Sequence, residues 1–386
     1  MRLLSALLIA PVWLAAQSAP SAPADTTGKK ADPPPQPVNH LETALAGVKL
    51  TGFVEASYAY SARSLDDTAI VGRLYDRFQN RFTLNALGVV LDKPYDPAKF
   101  SAGFHTELLL GQDARVIKSN GLDLGPQADL PHLYVTLNVP TASGNGLQLK
   151  VGRIPTLLGL EVIETYANPN WSEGTQFVYV ENATALGVSL ETKFNDHVDV
   201  QLRVNNGWDQ ASDNNSRKSL MGRVGVYPDA VTSLGIVGFW GPEEAGINGA
   251  NRYGVDGVLW RKLGKAAVWV QGDYGKEQAN AALPDPTQDA QWWAFGGWVT
   301  YDFNPSFGLA LRGDYMNDED GARTSGVLGF PANTGQKLGS GTATLNVRAW
   351  PNAVVRPELR YDRSSLAAFD GKKDQLTLAL AVAYLY

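Results

Sequence analysis

From Leu50 to the end of the chain, apolar and polar residues alternate in short runs separated by turn residues. The last run is the plainest. Leu376, Leu378, Leu380, Val382, Tyr384 and Tyr386 fall on one face, and Gln375, Thr377, Ala379, Ala381 and Ala383 on the other. Residues i, i+2 and i+4 of a strand share a side, so this segment is a strand with one oily face that ends in an aromatic pair. Comparable runs are read at 50–61, 78–91, 99–110, 132–139, 147–154, 183–194, 197–206, 218–227, 232–240, 252–263, 265–274, 291–303, 306–316, 341–350, 353–363 and 375–386, a predicted total of sixteen strands. In the first, Val54, Ala56, Tyr58 and Tyr60 oppose Glu55 and Ser57. In the second, Phe78, Phe82, Leu84, Ala86 and Val90 oppose Arg81, Thr83 and Asn85. No segment shows a helical period over a helical length.

The connections alternate in length. Those near 92–98, 140–146, 195–196, 228–231, 263–265, 304–306 and 351–353 are tight, and those near 62–76, 111–130, 155–182, 207–217, 241–251, 275–290, 317–340 and 364–374 are long and polar. One short rim and one long rim belong to an all-β, transmembrane, antiparallel up-and-down β-barrel with short periplasmic turns and long extracellular loops. Strands of about ten residues suit a tilted bilayer span. A sandwich has no reason to alternate so regularly, and a propeller requires a repeat of about 40 residues that is absent here. Aromatics such as Tyr58, Phe82, Trp293, Tyr301, Phe303, Tyr315, Trp350 and Tyr384 sit near strand ends, where amphipathic rings meet the headgroup level.

The first residues change the compartment. Met1-Arg2 precedes the apolar run Leu3–Ala16, and small residues follow. This is the form of an export signal, residues 1–24, with a cut between 16 and 24. The run is too short for a membrane helix. Residues 25–48, with Pro33-Pro34-Pro35, read as a Pro-rich periplasmic linker, and 49–386 as the barrel. The 386-residue chain has no cysteine, which excludes disulfides and thiolate metal sites, and no Cys follows the signal to take a lipid anchor. A net charge of −6 argues against nucleic-acid binding.

Strand parity then assigns the interior. Basic residues Arg81, Lys150, Arg203, Arg223, Arg312, Arg348, Arg356 and Arg360 fall on polar faces, with acidic Glu55, Glu107, Asp199, Asp314, Glu358 and Asp362 against them. Charge on a lipid face costs several kcal/mol, so these groups are expected to look inward, into water. The interior of a barrel this size is wide enough for an aqueous channel. The expected function is passive diffusion of small polar solutes and ions, with weak ion selectivity because the inward charges nearly balance. Arg153 departs from parity, since it shares phase with Leu149 and Val151; a bulge at Gly152 is one way to turn it inward.

The long connection 155–182 contains Leu157, Leu158, Leu160, Val162 and Ile163, too apolar for a solvated loop. It is expected to fold into the lumen, with Glu161, Glu164 and Glu173 facing basic wall residues across a constriction. Trp269, Trp292 and Trp298 fall on inward faces and keep open a carbohydrate-selective channel with an aromatic file. A non-conducting structural or adhesive barrel is the other alternative.

Four stretches carry a family resemblance: Leu149–Glu161, Val204–Asp209 with Asp213–Asn215 and Lys218, Leu311–Thr324, and Pro357–Ser364. In this order they resemble the β-barrel porin-2, OmpL-like family of bacterial outer-membrane porins, over roughly 50–386. The resemblance implies an outer-membrane porin and says little about the solute. Outer-membrane lipid, small polar solutes and ions are the expected partners, with a homotrimer expected by analogy with general porins. No enzyme is expected: His40, His105, His132 and His197 are the only histidines, and no nucleophile elbow, P-loop or dinucleotide glycine pattern occurs. His105 and Glu107 share a face, read as a lumen-lining polar pair; neither metal nor cofactor is expected.

Overall fold

The computed structural model describes residues 46–62, 69–280 and 283–386. The expected export signal and most of the expected linker lie outside the described residues. Sixteen strands run in sequence: β1 (Lys49–Ser61), β2 (Arg81–Lys93), β3 (Ser101–Leu110), β4 (Ala128–Val139), β5 (Leu147–Pro155), β6 (Thr184–Asn195), β7 (Val198–Asn205), β8 (Ser219–Asp229), β9 (Thr232–Pro242), β10 (Asn251–Leu263), β11 (Ala266–Glu277), β12 (Ala290–Asn304), β13 (Phe307–Asp318), β14 (Gln336–Trp350), β15 (Ala353–Ser364) and β16 (Asp374–Leu385). Each pairs antiparallel with its sequence neighbours, and β1 pairs with β16 to close the barrel. One five-residue helix, α1 (Thr175–Tyr179), lies in the connection between β5 and β6.

Short turns gather at one rim and long connections at the other, as the alternation of loop lengths predicts. Several strands extend past their predicted starts on the long-loop side, β4 from Ala128 and β14 from Gln336. The strand read from 78 starts instead at Arg81. Phe78 pairs with Ala69 in an isolated bridge, and the Arg81 guanidinium lies 3.7 Å over its ring.

One face assignment is corrected. Glu55 pairs with Ala86 and Ala56 with Leu84, so Asn85 is an extra residue in β2. Such a bulge shifts the phase of everything beyond it. Ala86 and Val90, expected to face outward, therefore face inward, and Leu87, Val89 and Leu91 continue the outer face. Nothing in a period-2 pattern marks this slip, because Ala86 and Leu87 are both apolar.

The outer surface inverts the distribution of a water-soluble protein. Leu378 is 53% exposed and Phe82 89% exposed, whereas Ala381 and Thr344, on inward faces, are fully buried. A continuous belt of Leu, Val and aromatic side chains is what lipid requires and what water penalises. A barrel also leaves no unpaired strand edge in the membrane. The belt sets an expected outcome. Leu380→Arg, at the middle of β16, should cost about 2–4 kcal/mol of folding free energy in bilayers, read by reversible urea unfolding in vesicles. A loss under about 1 kcal/mol would place Leu380 outside the hydrocarbon.

The seam between the two chain ends is tight. The Gly52 N–H donates to the Tyr386 carbonyl at 2.9 Å, and the Tyr386 hydroxyl donates to the Gly88 carbonyl at 3.2 Å. A Cβ on Gly52 would meet the Gly88 oxygen at 2.3 Å and the Tyr386 ring at 2.6 Å. Only glycine lets the terminal aromatic ring cross β1 there.

Candidate channel interior

The segment 156–183 leaves β5, crosses the inside of the barrel and returns as β6. Its backbone is irregular, so its N–H and C=O groups must find partners away from bulk water. The wall supplies them from several strands. Arg356 of β15 donates to the carbonyls of Thr165, Asn168 and Pro169 at 2.6, 2.7 and 2.9 Å. Arg360 donates to the Glu173 carbonyl at 2.5 Å, and Arg312 of β13 to the Ser172 carbonyl at 2.5 Å. Glu358 accepts the Trp171 and Ser172 N–H groups at 2.8 and 3.2 Å. Glu55 of β1 accepts the Trp171 indole N–H at 2.9 Å and the Thr165 hydroxyl at 2.7 Å. On the far side, the Gly159 N–H donates to Asp256 of β10 at 3.2 Å and the Leu160 N–H to Gln271 of β11 at 3.1 Å.

Apolar side chains fix the rest. Leu157 and Leu158 pack with Trp208, Met221, Val237 and Phe239, and Leu160 with Val258, Trp269 and Trp298. Gly159 has φ +71°, and a Cβ there would meet the Glu181 carboxylate at 2.0 Å. The chain turns back at that point only because the residue is glycine.

The four acidic residues of the segment meet different surroundings. Glu161 accepts from Arg312 at 2.7 Å, the Trp298 indole at 3.3 Å and the Gly174 N–H at 2.7 Å. Glu173 accepts from Asn168 at 3.0 Å. Burial and the nearby Glu161 hold its carboxyl well above the usual range, against the pull of Arg312. Glu164 faces no arginine. It stands 3.5 Å from His132 Nδ1, and burial with Glu107 beside it pushes its carboxyl up to about 8. Glu181, near the end of the segment, accepts from Gln271 at 2.7 Å. Burial and the neighbouring Asp273 raise its pKa well above the carboxylate range.

The predicted lining residues face inward, but few of them meet open water. Glu55, Arg312, Asp314, Arg356, Glu358, Arg360 and Asp362 are buried beneath the segment. Arg312 also pairs with Asp314 at 3.0 Å, and Arg360 with Asp362 at 2.8 Å. Arg203 donates to the Pro155 carbonyl at 2.7 Å, Arg223 pairs with Asp199, and all three charged side chains are buried. Glu107 is buried beside His132. Lys150 pairs with Glu191 at 2.7 Å beside the Tyr134 ring. Arg348 pairs with Asp302 at 3.2 Å toward the short-turn rim and is about one-third exposed. Arg81 is exposed at the opposite rim. Alternation reveals the face of a strand and not what a distant segment lays over it.

Arg153 is buried, donating to both Asp129 oxygens at 2.8 and 2.9 Å and to Thr184 at 3.2 Å. The ladders on both sides keep their register there, so no bulge is involved; Gly152 has φ +139°. Trp269, Trp292 and Trp298 are buried and make no open aromatic file.

The sequence reading missed other inward residues. The connections read as polar outside loops also send side chains into the barrel. Arg73 bonds Asp76 at 2.7 Å, Asp362 at 2.5 Å and Thr377 at 2.9 Å, and Tyr75, Asp113 and Ile117 are buried. Arg252 and Arg323 both lie over the rings of Trp208 and Trp292. The apolar pairs Ile70-Val71 and Leu74-Tyr75 were the available signal for the first loop.

A closed barrel with an oily exterior, inward charge and one long connection folded through its middle is a transmembrane channel of porin type. The chain belongs to the family described as Putative beta-barrel porin-2, OmpL-like, whose profile matches residues 47–386. Among solved structures, it is similar to the outer membrane channel DcaP of Acinetobacter baumannii, at 15% identity and TM-score 0.58, covering 88% of this chain and 97% of that one. It is similar to an anion-selective porin from Comamonas acidovorans, at 12% identity and TM-score 0.57, covering 88% and 99%. A trimer form of OmpT, an outer membrane protein of Vibrio cholerae, matches at 11% identity and TM-score 0.58 over the same shares. No curated protein sequence matches the chain. Family and fold together make this a bacterial outer-membrane porin.

Proposed function

We propose that the barrel passes small polar solutes and ions by passive diffusion, along a narrow path between the inserted segment and the wall. The observation that carries this reading is the anchoring of 156–183 to inward polar groups on β1, β10, β11, β13 and β15. A segment held on opposite sides leaves a restricted bore rather than an open one. Two wall lysine or arginine charges outside the buried set are paired, Arg348 with Asp302 and Lys150 with Glu191. This pairing supports weak ion selectivity. The chain is a conduit and not a catalyst. It is exported by a signal cleaved between residues 16 and 24, and it assembles as a homotrimer, as the trimer form of the Vibrio cholerae protein suggests.

Purified mature protein in planar bilayers is expected to give small unitary currents, with a reversal potential near zero in a potassium chloride gradient. No current from folded, inserted protein would favour a structural barrel. A large reversal potential would overturn the charge balance, and block by sugars would favour a carbohydrate channel.

A pH dependence follows from Glu173 and Glu181. Both pKa values are raised in the folded state, by burial first and then by Glu161 and Asp273. The anchored segment thus binds more protons than a released one. Its hold is fullest below the ordinary carboxylate pKa of about 4.3 and weakens as pH rises toward the raised values. Arg312, Arg360 and Asp113 near Glu173, and Asp256 and Glu161 near Glu181, are the other charged groups beside them. Current is expected to become larger and noisier from pH 5 to pH 9, and the Glu173→Gln/Glu181→Gln variant should flatten that rise.

A further inference from the structure

We propose that His105 and Glu107 of β3 and His132 of β4, with Glu164 of the inserted segment, form a site for a divalent transition-metal ion such as Zn2+. One candidate ligand atom from each of His105, Glu107 and His132 lies within 4.8 Å of the others. His132 Nδ1 is 3.2 Å from Glu107 Oε2 and 3.5 Å from Glu164 Oε1. Of the four histidines in the chain, two thus meet inside the barrel wall, whereas His197 sits exposed on the β6–β7 turn, with Nδ1 2.7 Å from the Tyr227 carbonyl oxygen.

Two further observations point to a ligand. His132 Nε2 and Glu107 Oε1 are buried and have no hydrogen-bond partner, in residues 8% and 2% exposed. Leaving such groups unsatisfied is costly, and a cation held between His132 Nδ1 and the Glu107 carboxylate would remove the cost at Glu107. The second is the support behind His105. Its Nδ1 is 3.2 Å from Asp92 Oδ1 of β2, which leaves the other ring nitrogen for a metal. A carboxylate behind a ligating histidine is the usual outer support of such a site, because it fixes the tautomer and strengthens the ligand.

The donor set selects the ion. Imidazole suits zinc, copper, nickel and iron, while calcium and magnesium prefer all-oxygen shells. Bonds of about 2.1 Å bring tetrahedral ligands to about 3.4 Å apart, so the His105, Glu107 and His132 side chains must close from 4.8 Å by up to about 1.4 Å. Glu164, on irregular backbone just before the turn Thr165–Ala167 and already 3.5 Å from His132 Nδ1, can follow them. The neighbouring Arg153 is already paired with Asp129, which reduces its repulsion of a cation. A bound ion would tie β3 and β4 directly to the inserted segment.

The test is titration of the folded mature protein in detergent with zinc chloride by calorimetry, and with cobalt(II) by visible absorption. One site per chain and four-coordinate cobalt bands are expected. His105→Ala and His132→Ala should each weaken zinc binding at least tenfold, and Asp92→Asn by roughly 10–100-fold. His197→Ala should change nothing. Glu164→Gln lies outside every strand, so its loss of affinity is readable even if a histidine variant fails to fold; mobility on an unheated gel checks folding throughout. Absence of zinc binding by the folded protein, or equal affinity in the Glu164→Gln, Asp92→Asn and histidine variants, would overturn the site. The readout needs no current, so it stands or falls apart from the diffusion reading.

Discussion

Replacing residues 160–174 with a short glycine-serine bridge is expected to raise single-channel conductance several-fold. These residues are the middle of the segment that crosses the barrel. They carry Glu161, Glu164, Trp171 and Glu173, and they take up the hydrogen-bonding groups of Glu55, Arg312, Arg356, Glu358 and Arg360. Once they are removed, those wall charges lose their partners in the segment, Arg312 keeps Asp314 and Arg360 keeps Asp362, and the remainder of their hydrogen bonding falls to water. The space vacated by buried side chains becomes water, and a barrel of this strand number is wide enough to hold it. The barrel itself should survive, because every wall strand keeps both ladder neighbours. Planar-bilayer recording measures the change, with heat-modified gel mobility confirming the fold. Unchanged unitary conductance would mean that ions do not pass where the segment lies.

Arg312→Ala should release the same segment without shortening it. Arg312 is fully buried, and it holds Glu161 at 2.7 Å, the Ser172 carbonyl at 2.5 Å, Thr342 at 3.0 Å and Asp314 at 3.0 Å. Removing one partner from a buried ion pair costs about 3–5 kcal/mol, since the other charges are left uncompensated. Here the uncompensated groups are Glu161 and Asp314, and the first belongs to the inserted segment rather than to the wall. The cheapest response is for Glu161 to leave the interior and take its segment along. Flickering, larger currents are expected, with the unfolding midpoint of the barrel little changed. The double variant Arg312→Ala/Glu161→Gln should recover part of the wild-type current, because it removes a stranded charge. Quiet wild-type currents in the single variant would show that the apolar contacts of Leu157, Leu158 and Leu160 hold the segment unaided.

The barrel was legible because its signal is periodic and repeated. Outward Leu376, Leu378 and Leu380 against inward Gln375, Thr377 and Ala381 state the sidedness of β16 without reference to any other strand, and the alternation of short and long connections gives the rims. The one phase error, at Ala86 and Val90, arose where an extra residue sits between two small or apolar neighbours. The interior was legible only in part. Glu161 meets a basic wall residue, Arg312, whereas Glu164 meets His132 and Glu107. Such pairings join residues from 32 to 151 positions apart on different elements, and no local pattern encodes them. Arg73, Arg252 and Arg323 were missed for the same reason. They occupy loops or strand ends, where parity is silent, and only the folded chain brings them to carboxylates and indoles.

The seam between β1 and β16 has a consequence for how the protein is made. Phe53 aligns with Leu385, and Ser61 with Thr377, so the earliest strand waits for the last before its open edge is satisfied. Cotranslational assembly from the N-terminus cannot finish the cylinder. The polypeptide must stay unassembled through export, and a ribosome product stopped short of Asp374 would carry two unmatched borders into the envelope, which is an invitation to clump or be degraded.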